Sequence, residues 1–281
     1  MKEFKDKIAV ITGAASGIGF ALAQKCLTEG MKVMVADFNT KALRKAKRKL
    51  EKLSNAFSII ETDVSKSEDV EKLAQKTLQT YGKIDLVINN AGIGIPGDTW
   101  EFTQKDWEWI LNVNLWGVIH GIRIFVPIML EQNTDCHIIN TSSLEGLITG
   151  LLGGAAYVTS KFGIIGLTES LKIDLDKINS KIKVSVICPG YVRTNIFSNW
   201  LNRPLEYQDD RQITIQDLNS EEIIAKVKLM SEESPGITPE QAADIIFEEI
   251  RKEKFYIFTH KQPIVKDAIK ERMDAILNDL D

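Results

Sequence analysis

Apolar residues along this chain follow two rhythms that alternate from the N-terminus onward. Short continuous runs recur at Ile8-Ala-Val-Ile-Thr12, Lys32-Val-Met-Val-Ala36, Phe57 to Glu61, Ile84 to Asn89, Cys136 to Ser142, Lys183 to Cys188 and Phe255 to Thr259. β-Branched runs of this length, with no polar face, read as strands buried on both sides. Between them apolar positions fall at helical spacing, over Gly17 to Glu29 (stopped by Gly30), Lys41 to Leu53, Glu68 to Tyr81, Asp106 to Met129, Tyr157 to Ile178 and Pro239 to Lys252. A final helix is predicted over Ala268 to Leu280. Strands alternating with helices imply right-handed crossovers and a mostly parallel sheet. The expected fold class is therefore α/β, a doubly wound parallel sheet of about seven strands flanked by helices.

No repeat, low-complexity tract or clean linker divides the chain, so 1–281 is expected to be one domain. The stretch 195–239 breaks the alternation and reads as a substrate-covering insertion, and 260–281 as a C-terminal helical extension. The basic helix Lys41 to Leu53 reads as a solvated face.

Bulk properties narrow the classes. The chain has 281 residues, 44% hydrophobic and 26% charged, with a net charge of −4. That is ordinary for a globular protein, and a mildly acidic chain has no pull toward nucleic acid or anionic membranes. Cys26, Cys136 and Cys188 form no CxxC pair, and His120, His137 and His260 form no HExxH pair, so no metal is expected. The apolar run Ile8 to Thr12 is too short for a signal core or a membrane span, which makes a cytoplasmic protein the expectation.

Thr12-Gly-Ala-Ala-Ser-Gly-Ile-Gly19 sits between the first strand and the first helix. Gly13, Gly17 and Gly19 permit a tight turn, let backbone N–H groups approach a pyrophosphate and let helix pack on strand. Ser16 and Ile18 complete the turn, and the helix N-terminus adds partial positive charge. Any tight turn favours glycine. Here the turn follows a buried strand, and a carboxylate, Asp37, follows the second strand, which is the arrangement of a dinucleotide site. Asp37 can accept from both adenosine ribose hydroxyls and would repel a 2′-phosphate. Phe38 and Ser16 offer no basic group, so NAD is expected over NADP. Asp37 as a turn or helix-cap residue is the plainer alternative.

Taken in order, these pieces resemble the short-chain dehydrogenase/reductase family, from Thr12 through Thr194. The family's glycine motif is present as Thr12 to Gly19, its Asn-Asn-Ala-Gly segment as Asn89 to Gly92, its Tyr-x-x-x-Lys pair as Tyr157 and Lys161, and its Pro-Gly turn as Pro189-Gly190 with Thr194 beyond. The resemblance implies a Rossmann-type fold and a homodimer or homotetramer. It implies that Asp63 and Val64 hold adenine, that Asn90, Ala91 and Gly92 pass beneath the adenine ribose, and that Pro189, Gly190, Val192 and Thr194 face the nicotinamide.

The chemistry expected is hydride exchange between an alcohol and a carbonyl. Tyr157 is the candidate general acid/base, since Lys161 one helical turn on would favour the phenolate and also hold the nicotinamide ribose. Ser143 would hydrogen-bond the substrate oxygen. It lies one residue further from the tyrosine than the family's usual spacing, so an extra residue falls among Ile148 to Gly154 and Ser142 is the fallback. Asn114 matches the family's helix asparagine, whose amide would hold a relay water; bonding to its own helix is the alternative.

Leu144, Leu147, Ile148, Leu151, Leu152, Trp200 and Leu201 suit an apolar pocket for a bulky alcohol or ketone, or else packing of the lid. Trp109, Val113, Trp116 and His120 recur at helical spacing and read as core or subunit interface. The rival readings are enoyl reduction, an epimerase or dehydratase, and a non-catalytic NADH sensor. No G-x-S-x-G elbow supports a serine hydrolase.

Overall fold

The computed structural model describes residues 1–150, 153–194, 196, 203–208 and 236–280. Seven strands form one sheet: β1 (Ile8–Thr12), β2 (Lys32–Asp37), β3 (Phe57–Glu61), β4 (Leu86–Asn89), β5 (Cys136–Thr141), β6 (Ile182–Cys188) and β7 (Tyr256–Phe258). Every pairing is parallel, and the order is β3-β2-β1-β4-β5-β6-β7. The chain leaves β1 toward β2 on one side and later returns to β4 on the other. The crevice between β1 and β4 is thus the topological switch point where ligands bind in such sheets.

Eight α-helices are described: α1 (Gly17–Thr28), α2 (Thr40–Leu50), α3 (Ser67–Tyr81), α4 (Gln104–Leu111), α5 (Gly117–Gln132), α6 (Ala155–Lys177), α7 (Pro239–Arg251) and α8 (Pro263–Asn278). Strand periodicity distributes them. Ala9 and Ile11 of β1 join a core with Leu22 of α1, Leu50 of α2 and Phe247 of α7. Val10, between them, faces a second core with Leu73 of α3, Phe125 of α5 and Leu175 of α6. All five residues of β1 are buried, as an apolar run without alternation requires.

The structure departs from the sequence reading at several element ends. The strand predicted from Ile84 begins at Leu86, because the Ile84 N–H is taken by the side chain of Gln132 (2.9 Å) before the ladder starts. The helix predicted from Ala268 begins at Pro263, which needs no N–H donor at a helix start. The long helix predicted over Asp106 to Met129 is α4 and α5 joined by a π-helical turn, Asn112–Trp116. Within Gln104–Gln132 an 18-residue window is apolar enough to cross a membrane (mean hydropathy 1.6), by length and composition alone. In the fold, Phe125, Val126 and Met129 of this stretch pack against the sheet.

Candidate functional site

The residues with chemistry follow the carboxyl ends of the strands. After β1, Gly13 (φ +64°) and Gly17 (φ +53°) take left-handed backbone, which explains glycine at both. Gly19 faces a different constraint. A side chain there would overlap the Gly13 carbonyl oxygen and stand 2.5 Å from Asn90 Nδ2. The turn is tied across the switch point to the chain after β4. Thr12 Oγ1 accepts from the N–H groups of Asn90 (2.9 Å) and Ala91 (3.1 Å), and Asn90 Nδ2 donates to Thr12 O (3.0 Å). Asn90 therefore spends its side chain fastening the glycine turn.

Ser16, the N-cap of α1, makes no side-chain capping bond, so the helix's first N–H groups stay open toward the turn. Thr194 arrives from far along the chain to lie over this turn, with its Cγ2 3.1 Å from where a Gly17 side chain would begin. Ile18 is partly buried against the core. The turn is thus a cradle of backbone donors kept open by absent side chains, and it fits a pyrophosphate.

Asp37 closes β2. Its Oδ2 accepts from Ala15 N (3.0 Å) and its Oδ1 from Asn39 N (2.9 Å). With the Phe38 N–H as a third donor, the carboxylate braces the turn and still has accepting capacity for a ribose hydroxyl. Burial raises its pKa from the ordinary carboxylate value, opposed by these backbone bonds. Helix capping falls to Asn39, which accepts from Ala42 N (2.9 Å). Phe38 is exposed. Beyond β3, Asp63 accepts from Ser65 Oγ (2.6 Å) and pairs with Lys66 (3.4 Å), while Val64 packs against Gly117 at the start of α5.

The second half of the site is built on α6, the π-turn and the ends of β5 and β6. Tyr157 and Lys161 are both buried. Tyr157 hydrogen-bonds the Ser143 side chain. Lys161 Nζ stands 5.3 Å from the Tyr157 ring centroid and donates to Thr141 O (3.1 Å). Ser142 Oγ donates to the Lys161 carbonyl oxygen (2.8 Å), which ties β5 to α6 and leaves Ser143 as the serine that meets the phenol. Burial pushes the Tyr157 phenol upward, Ser143 opposes this, and the Glu145 carboxylate adds to it. Burial also lowers Lys161 to about 8. In the free protein desolvation dominates over any support that the Lys161 ammonium, 5.3 Å from the ring centroid, gives the phenolate.

Asn114 does not bond its own helix. Its Oδ1 accepts from Ile93 N (2.9 Å), and its Nδ2 donates to Ile93 O (2.9 Å) and Ser160 Oγ (3.0 Å). Both amide protons are thus used on the chain after β4 and on α6, neither on its own helix. Only a second lone pair on Oδ1 is left for a water. A side chain at Gly92 would begin in ordinary contact, 3.5 Å, with both Asn114 Oδ1 and Lys161 Nζ, which places the three side by side.

Pro189 O accepts from Leu144 N (2.9 Å), and Gly190 N donates to Thr259 Oγ1 (3.2 Å), fixing the turn after β6 beside Ser143. Val192 forms a parallel bridge with Ile237.

Sequence reasoning missed three features. Glu145 is buried two residues past Ser143; a lone acid in the apolar run Leu144 to Leu152 was its signal. Asn89, Asn140 and Thr168 form a buried hydrogen-bonded chain from β4 through β5 to α6. The described part of the insertion docks on α4: Arg203 pairs with buried Asp106 (2.6 Å), Tyr207 accepts from Asn112 (3.1 Å), and its ring stacks on Trp109 at 6.5 Å.

Of the expected pocket residues, Leu144 lies in a buried cluster with Ile164 and Val186, and Leu147 packs against it. Leu151, Leu152, Trp200 and Leu201 lie outside the described residues. Trp109 is core, whereas Trp116 is half exposed and packs on His120.

Comparisons with known proteins agree with this geometry. The family described as short chain dehydrogenase matches residues 7–204. The chain is 34% identical to the CLA biosynthesis dehydrogenase/reductase of Lactiplantibacillus plantarum, over 96% of this chain and 94% of that protein. It is 39% identical to 3beta-hydroxysteroid dehydrogenase 2 of Eggerthella lenta, over 67% of this chain and 72% of that protein. A short chain dehydrogenase/reductase from Burkholderia phymatum, solved in complex with NAD, superposes with a TM-score of 0.90 at 36% identity, covering 99% of this chain and 97% of that one. Motifs, sheet order and relatives converge: this chain belongs to the short-chain dehydrogenase/reductase family of oxidoreductases.

Proposed function

We propose that this protein interconverts a secondary alcohol and a ketone, with Tyr157 as general acid/base and NAD(H) as cofactor. The observation that carries the reading is the Tyr157–Ser143 hydrogen bond, with Lys161 across the phenol ring, at the same sheet edge as the glycine cradle. A bound nicotinamide dinucleotide supplies the hydride acceptor or donor. Gly13, Ser16, Gly17, Ile18 and Gly19 would hold its pyrophosphate and Asp37 its adenosine ribose. Asp63, Val64, Asn90, Ala91 and Gly92 would flank the adenosine. Pro189, Gly190, Val192 and Thr194 would border the nicotinamide.

Ser143 hydrogen-bonds the reacting oxygen and holds it beside the phenol. Tyr157 takes the hydroxyl proton in oxidation and returns it in reduction. Lys161, anchored by Thr141 O, places its ammonium over the ring. Asn114, clamped to Ile93 and Ser160, fixes the π-turn, and the remaining lone pair of its Oδ1 would accept from a water that links Lys161 to solvent.

NAD preference rests on the Asp37 carboxylate and the absence of a basic residue at 38. The relatives that act on a hydroxysteroid or bind NAD favour a bulky hydrophobic alcohol and this cofactor. A homo-oligomer with 195–239 covering the substrate completes the reading. The test is Tyr157→Phe, assayed by NADH absorbance against a panel of hydrophobic secondary alcohols. Turnover should fall by at least about 10³-fold while NADH binding stays within about twofold. Turnover that survives the substitution refutes the assignment.

A further inference from the structure

Glu145 stands on the 3-10 turn Leu144–Gly146 and is 5% exposed. No ion pair reaches it among the described residues. Both its oxygens accept from a single backbone N–H, that of Gly153, at 2.9 and 3.1 Å. Gly153 lies in turn against Tyr157. A side chain there would overlap the Cδ1 edge of the phenol ring and come within 2.8 Å of Glu145 Oε2. Glycine at 153 lets carboxylate, peptide and phenol pack in three layers. A second route joins the same residues, because the Glu145 N–H donates to Ser143 Oγ (3.1 Å), and Ser143 bonds Tyr157. A buried carboxylate with one donor and no cation is costly, and an amide would fill this corner at less cost.

We propose that Glu145 is a positioning residue for Tyr157: its carboxylate pins Gly153 against the phenol ring and sets a negative charge beside the group that exchanges the proton. The inference rests on the reading of Tyr157 as acid/base. The ionisable groups around this corner are Tyr157 and Lys161 on α6, Cys188 at the end of β6 and His260 beyond β7, behind Gly190. Lys161 lies over the ring and opposes Glu145. Burial raises the Glu145 pKa, opposed by the Gly153 N–H, and once ionised the carboxylate disfavours the phenolate, so the proton stays on Tyr157, ready for donation to a carbonyl. The device favours reduction at neutral pH and delays oxidation until the pH rises.

Two variants separate the clamp from the charge. Glu145→Gln keeps an acceptor for Gly153 N and removes the charge; Glu145→Ala removes both. Three readouts are taken: NADH binding by fluorescence, the pH profile of oxidation, and the Tyr157 phenolate absorbance as the difference from Tyr157→Phe. The last needs no turnover. In Glu145→Gln the phenolate and the acidic limb of oxidation should move to lower pH, and oxidation at pH 7 should rise by about threefold. In Glu145→Ala kcat should fall about tenfold with NADH binding within about twofold, and Glu145→Gln should recover most of that loss. If Glu145→Ala does not fold, the Glu145→Gln titration decides. A phenolate titration unmoved in Glu145→Gln overturns the proposal. A shifted titration in a protein that turns over no alcohol upholds the link to Tyr157 and defeats the reaction instead.

Discussion

Gly19→Ala tests the cradle most directly, because the structure supplies the magnitude. The added methyl would stand 2.5 Å from Asn90 Nδ2 and 2.9 Å from the Gly13 carbonyl carbon. Non-bonded heavy atoms settle near 3.5 Å, so the turn or Asn90 must give by on the order of 0.5–1 Å. Overpacking of this kind costs about 1–3 kcal/mol. The movement also strains the bond from Asn90 Nδ2 to Thr12 O (3.0 Å), worth about 1 kcal/mol. The sum, about 2–4 kcal/mol, predicts a Tm lower by roughly 4–8 °C or more for a chain of this size. The displaced N–H groups are those proposed to hold the pyrophosphate, so NADH affinity should drop by about 10–100-fold. The control is Gly166→Ala. Gly166 is exposed in α6 with nothing within 4 Å of an added methyl. That change should stabilise by up to about 1 kcal/mol through helix propensity and leave binding alone. Fluorescence titration with NADH and thermal unfolding read both variants. If Gly19→Ala binds NADH as the wild type does, with an unchanged Tm, the cradle argument is wrong.

Asp37→Ser keeps a hydrogen-bond acceptor but removes the charge; the kcat/KM preference for NAD over NADP should fall at least about tenfold, and an unchanged ratio excludes Asp37 as discriminator. Asn114→Ala leaves the Ile93 N–H and C=O without their side-chain partner and should cost about 2–4 kcal/mol in urea unfolding; a loss under about 0.5 kcal/mol refutes the clamp. Cys26 is fully buried and burial raises its thiol pKa, so the folded state keeps a proton that the unfolded state releases above about pH 9. Stability present below that pH should be lost on going above it at about 1.4 kcal/mol per pH unit, and Cys26→Ala should flatten this slope when unfolding is followed between pH 8 and 10.

How much was legible in advance depended on whether a feature is local. Continuous runs such as Ile8 to Thr12 declare a strand buried on both faces without any partner being known, and all seven predicted strands are present. The glycine turn was legible because its constraint is left-handed backbone geometry, which favours glycine at Gly13 and Gly17. Features that depend on what lies opposite were not. Nothing near Asn90 announces that its amide fastens Thr12, since the bond spans the switch point. The π-turn at Asn112–Trp116 has no composition signal; it shows only as Asn114 reaching both Ile93 and Ser160. The choice between Ser142 and Ser143 turned on which face of the chain meets α6, and alternation at the end of β5 sends Ser142 to the Lys161 carbonyl and Ser143 to the phenol.

The same distinction governs the acid/base pair. Helical spacing places Tyr157 and Lys161 on one face, and from that alone the ammonium should acidify the phenol. Spacing carries no information about desolvation, which acts on both groups in opposite directions: it holds the proton on Tyr157 and loosens the one on Lys161, which falls to about 8. In the free protein burial therefore works against the very charge meant to support the phenolate. Two features oppose that effect. Thr141 O accepts from Lys161 Nζ and favours the charged form, and the open corner at Gly92, between Lys161 Nζ and Asn114 Oδ1, leaves room for a further polar partner. Among the described residues a single carbonyl, Thr141 O, accepts from this buried ammonium, which has three donors to satisfy. The hydroxyls of a ribose are acceptors of the required kind, so ligand binding that fills this deficit would raise Lys161 again and restore the charge that base catalysis by Tyr157 requires.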